Sequence, residues 1–152
     1  MKYTILSSVL LLLAVTCYSQ LKRSKPVKDT LSGLACPFQK GTMKTPSQEG
    51  YGYKGDVKMI ITSVTDTLVL SPADGKIDLI SMGEGGKYDV VMHQNDYNIW
   101  LIGVTKVLVK KNDLLKKGQP LGKVSPGDEL EFLLFKEEEP VDPKKWLECR
   151  KM

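Results

Sequence analysis

The chain has 152 residues and a formal net charge of +4, enough for one small domain and too little for two of ordinary size. Hydrophobic residues make up 41% and charged residues 26%, a balance that excludes an unstructured polar chain. Acidic and basic residues are interspersed, and no basic stripe with interleaved aromatics occurs, so nucleic acid is not an expected partner.

Lys2 followed by the apolar stretch Ile5 to Val15 and then small residues reads as a secretory signal peptide over residues 1–19, cut after Ser19. The stretch is too short for a membrane span, so no transmembrane segment is expected after cleavage. Cys17 offers lipid attachment as another end, but Ala14-Val15-Thr16 is a poor lipobox, so simple export to the periplasm or the medium is the expectation. Residues 20–35, polar and basic around Pro26, are assigned to a linker, and residues 36–149 to the folded domain. Export leaves Cys36 and Cys149 as an even pair flanking that domain, which predicts a disulfide between them.

Gly41 to Gly55 is rich in Gly, Pro and Ser and reads as loops with short extended pieces. From Val57 onward the pattern is β. Met59 to Val64 and Thr67 to Leu70 are β-branched and apolar runs, the second stopped by Ser71-Pro72. Asp74-Gly75 is a turn signal before Lys76 to Ile80, which alternates polar and apolar residues. Gly83 to Gly86 is a turn. Tyr88 to His93 and Tyr97 to Ile102 bracket Asn95-Asp96, a hairpin signature. Val107 to Val109, Pro120-Leu121 and Leu130 to Phe135 complete the set, and no segment sustains a helical period. Many short strands with regular turn signals predict an all-β sandwich or barrel of antiparallel strands.

Four segments together resemble the lysostaphin-type, or LytM-like, zinc metallopeptidase domain, whose fold is a β-sandwich built on the duplicated hybrid motif. Val69 to Lys76 is similar to the family's strand and turn before a conserved-type Asp-Gly pair. Gly85 to Tyr97 is similar to its central hairpin. Lys106 to Gly122 is similar to its Lys- and Gly-punctuated segment, and Pro140 to Pro143 with Trp146-Leu147 to its C-terminal end. The resemblance covers about Cys36 to Leu147. It implies a bacterial cell-envelope protein, since active members of that family cut cell-wall peptides.

The resemblance also says where the metal ligands belong, and this sequence departs at each place. Tyr53-Lys-Gly55 stands at the first His-x-Gly, and Val57 at the aspartate in the short spacing. Leu101 and Gly103 stand at the Tyr-x-His element, and Glu129-Leu-Glu131-Phe132 at the late His-x-His. A catalytic zinc needs about three protein ligands and an open position for water, and the whole chain holds one histidine, His93. His93 aligns with a hairpin histidine that is not a ligand in the family. It is read either as a replacement ligand or as a hydrogen-bonded strand-end residue, and the lack of a second histidine favours the latter. Glu129 and Glu131 share one side of a strand by alternation, as a carboxylate pair or as solvated surface.

No metal, no cofactor and no catalytic residue are therefore expected. Tyr53, His93, Glu129 and Glu131 are the candidate groove residues. The expected function is a secreted, non-catalytic LytM-like module that binds peptidoglycan or an envelope protein, acting as a monomer. Two alternatives stay open: a residual metallo-endopeptidase using His93 with the two glutamates, and a structural envelope protein with a closed groove.

Overall fold

The computed structural model describes residue 31, residues 33–45 and residues 57–151. The chain divides into Met1–Thr30 and Leu31–Met152, and every described residue belongs to the second unit. The signal peptide, Cys17 and Tyr53 therefore lie outside the described residues.

Fourteen strands carry the described fold: β1 Leu34–Ala35, β2 Thr42–Lys44, β3 Lys58–Thr62, β4 Leu68–Leu70, β5 Gly75–Met82, β6 Tyr88–Gln94, β7 Tyr97–Val104, β8 Lys106–Val107, β9 Leu114–Leu115, β10 Pro120–Lys123, β11 Glu129–Lys136, β12 Glu139–Val141, β13 Leu147–Glu148 and β14 Arg150–Lys151. Among the described residues the helical content is two single 3-10 turns, Glu84–Gly86 and Pro143–Lys145. The all-β expectation holds, and the strands form an antiparallel sandwich. The main sheet runs β14-β2-β3-β11-β7-β6-β5-β9, with β12 also on β11, and a smaller sheet runs β4-β10-β8.

Alternation decides which face of the main sheet is core. On β11, Leu130, Phe132 and Leu134 are buried, while Glu129, Glu131 and Leu133 point the other way. Their cross-strand partners follow the same division: Ile61 and Met59 on β3, and Leu101 and Ile99 on β7 face inward. Val69 and Leu121 from the smaller sheet join this cluster, which makes it the single core between two layers. The β6–β7 hairpin closes over Asn95-Asp96 as expected, with Asn95 at φ 52°. Asparagine tolerates that left-handed conformation, which a two-residue hairpin loop requires.

The ends of the unit are pulled together. β1 lies parallel to β13, β2 lies parallel to β14, and Cys36 is disulfide-bonded to Cys149 across a sequence separation of 113. Leu31 and Leu34 are buried in the core. Leu31 and Leu34, within the span 20–35 assigned to a linker, thus pack with the second unit. Those leucines, few but apolar, are what the polar composition of that span concealed.

The disulfide closes a loop of more than a hundred residues, which the chain-entropy relation values at about 3–5 kcal/mol. Replacing both cysteines by alanine is expected to lower unfolding stability by about that amount, read as a fall in the urea midpoint with an oxidised wild type as control. An unchanged midpoint would show that the β1–β13 and β2–β14 pairings hold the ends without it.

Candidate functional site

The outward face of the main sheet holds the candidate residues. Residues paired across strands share a face, so the register sorts them into rows. One row reads Lys44, Ile60, Glu131, Ile102, Asp89, and the next toward the start of β11 reads Thr42, Thr62, Glu129. In the opposite direction come Lys58, Leu133, Trp100, Val91 and then Phe135, Asn98, His93, Lys76.

Glu129 and Glu131 do lie on one face, and each is held by a lysine, one from the adjacent strand β3 and one from β2 beyond it. Lys44 on β2 donates from Nζ to Glu129 Oε1. Lys58 Nζ lies 2.9 Å from Glu131 Oε1, with the lysine side chain largely buried and the glutamate about one third exposed. The more exposed Glu129 pair adds about 0–1 kcal/mol. Its consequence is chemical: a carboxylate already neutralised by an ammonium is a poor metal ligand. Lys87 and Asp128, 3.0 Å apart, tie the turn before β6 to the short loop before β11.

His93 is not part of this group. Its row crosses β11 at Phe135, four residues beyond Glu131. At the strand rise that is about 13 Å along the sheet, plus two strand spacings across, or about 16 Å in all. Its Nδ1 instead lies 2.9 Å from Asn98 Oδ1 on the adjacent strand. His93 and the two glutamates thus share a face of the sheet but not a place on it.

Gly103, at the Tyr-x-His histidine position of the resemblance, has a backbone reason to be glycine. Tyr88 pairs with Val104 and Asp89 with Ile102, so Gly103 is the extra residue of a bulge. Its φ is 100°, and a Cβ there would meet Glu129 O at 3.0 Å. A side chain is strained at that point whatever its chemistry.

A zinc site fails the test of its donors. Among the described residues no three His, Cys, Asp or Glu side chains come together in a way that could hold a metal ion. Glu129 and Glu131 are engaged by lysines, and a histidine at residue 103 would sit on a strained backbone. The described residues do not fit a catalytic zinc. Val57, at the short-spacing aspartate position, is an exposed residue preceding β3.

One acid on this face is electrostatically strained. Burial first, then the Glu131 and Glu84 carboxylates, push the Asp89 carboxyl above the ordinary aspartate value of 3.8. A folded-state pKa above the unfolded one means the fold binds more protons, so Asp89 costs stability as pH rises past that ordinary value. Asp89→Asn is expected to raise stability at neutral pH by less than about 1 kcal/mol, since solvent screens this half-buried group. The gain should vanish in acid, below the ordinary aspartate range. Urea midpoints at neutral and acid pH measure it, and a gain equal at both would assign the effect to something other than charge.

Residues 58–143 match the profile of peptidase family M23. No curated protein shows a matching sequence. Among solved structures, Helicobacter pylori Csd3 superposes with a TM-score of 0.64 at 21% identity, over 78% of this chain and 34% of that one. A chain of the SpoIIQ–SpoIIIAH pore-forming complex gives 0.58 at 11% identity, over 78% and 92%. The catalytic domain of the antimicrobial peptidase lysostaphin from Staphylococcus simulans gives 0.50 at 24% identity, over 63% and 88%. At these identities the likeness is one of fold, and the chain spans about a third of the Csd3 chain. The profile covers more than half of the sequence and falls on the strands that build the sandwich, β3 through β12; the chain belongs to peptidase family M23.

Proposed function

We propose that this chain is a non-catalytic M23 domain, exported to the bacterial cell envelope, that binds a cell-wall peptide or a segment of an envelope protein. The observation that carries the reading is the pair of lysine-held carboxylates, Glu129 with Lys44 and Glu131 with Lys58. They occupy the strand where the resemblance places the late histidine pair. The single histidine of the sequence, committed to Asn98 at a distance from both, supports it.

What the outward face offers is binding chemistry. Between the acidic end and the His93 end lie Leu133, Trp100 and Phe135, with the two aromatic rings 6.0 Å apart and tilted. An extended peptide has apolar side chains for such a strip and backbone groups for the polar ends. Export is supported by the disulfide, which persists in oxidising compartments, and by the leader-like residues 1–19. No helix among the described residues is long and apolar enough to cross a membrane. Assembly with a protein partner has a parallel in the SpoIIQ–SpoIIIAH complex, which shares the fold.

The test is to incubate the purified protein with dye-labelled peptidoglycan sacculi, with and without added zinc. The expected result is protein retained in the sacculus pellet, or on an envelope protein in a crosslinking assay, with no dye released in either condition. Zinc-dependent release of dye would overturn the reading in favour of a working peptidase.

A further inference from the structure

We propose that a cavity at the far end of the outward face, between the β5–β6 edge and β9, binds the carboxylate terminus of a peptide. The cavity measures about 360 Å³ and is lined by Asp74, Lys76, His93, Gln94, Leu114 and Lys116, among others. It contains neither Glu129 nor Glu131, so it is separate from the metal positions of the fold.

The wall has one closed charge pair and one open cation. Lys116 Nζ lies 2.9 Å from Asp74 Oδ2, and Asp74 Oδ1 accepts from the Lys117 amide at 2.8 Å. Asp74 is thereby satisfied and its partner neutralised. Lys76, exposed on β5 opposite His93, has no acidic partner among the described residues. Its ammonium is free to take an anion.

One acceptor is also open. Asn98 Nδ2 donates to Glu137 O at 3.2 Å, which turns Asn98 Oδ1 toward His93 Nδ1 at 2.9 Å. An accepting oxygen there requires the proton on Nδ1, so the neutral imidazole keeps its lone pair on Nε2. At the rim, Leu114 stands 79% exposed, an unusual exposure for a leucine beside a cavity.

The ligand that matches this wall carries one anion, at least one N–H donor and an apolar side chain. A phosphate has the charge and, when protonated, an O–H donor, but no apolar group for Leu114. A hydrocarbon chain leaves Lys76 and His93 unserved. A peptide ending in a free carboxylate supplies all three: carboxylate to Lys76, amide N–H to an acceptor, and an apolar terminal side chain against Leu114. The choice of a peptide rests on the binding-module reading; the place does not.

The experiment is a nuclear magnetic resonance titration of the isotope-labelled full chain, following backbone amides and the His93 ring nitrogens. The probes are a leucine-terminated tripeptide, its C-terminal amide, and inorganic phosphate. The expected result is saturable shifts at Asn95, Leu114 and His93 Nε2 with the free acid, and binding about tenfold weaker or less with the amide. Phosphate should leave those residues unmoved. Lys76→Gln should weaken the free acid by about tenfold with the remaining spectrum unchanged. Equal affinity for acid and amide, the same shifts with phosphate, unimpaired binding by Lys76→Gln, or no shifts at all would overturn the proposal. Peptide shifts confined to Glu129 and Glu131 would also overturn it, while leaving the non-catalytic binding reading intact.

Discussion

The register of β11 is the constraint on which the rest depends. This strand pairs with β3 on one side and β7 on the other, and also takes β12. Its alternation sends Leu130, Phe132 and Leu134 into the core and Glu129 and Glu131 to the outward face. A slip of one residue would exchange the two sets and bury both carboxylates, at a cost far beyond any ion pair. The core therefore fixes where the glutamates stand, and so fixes that β2 and β3 present Lys44 and Lys58 beside them.

Two consequences of that register support the proposal that this domain is not a zinc peptidase. The acids at the late His-x-His position already have cations, which lowers their use as metal ligands. The neighbouring strand accommodates them with a bulge at Gly103, whose backbone lies close to Glu129 O and favours glycine. The departures are mutually consistent rather than scattered: histidines placed at those sites would meet a lysine-rich edge and a strained backbone. The same sheet face carries an apolar strip and, at its far end, a cavity with Lys76 in its wall.

Much of the fold was legible in the sequence because it is written in alternation and turn residues. Asn95-Asp96 marks its hairpin without help from tertiary contacts, whereas the alternation of Lys76 to Ile80 breaks at a register shift after Ile77 that leaves Leu79 exposed. The cysteine pair was legible from parity and export. The two-residue strands β1, β13 and β14 were not, since pairing of that length leaves no periodic signal. The site was legible only in part. Alternation tells which face Glu129, Glu131 and His93 occupy, but the row each occupies depends on the register of neighbouring strands. The lysine partners were hidden for the same reason: Lys44 and Lys58 come from strands about 70–85 residues earlier in the chain. Tyr53 lies outside the described residues, so its place beside them rests on the sequence alone.

The most direct test of the account is the zinc content of the full chain after incubation with the metal and exhaustive dialysis, measured by elemental analysis. Lysine-held carboxylates and a glycine bulge predict far less than one zinc per chain. About one zinc per chain, retained through dialysis, would contradict the account and mean that the metal positions have been assigned to the wrong residues.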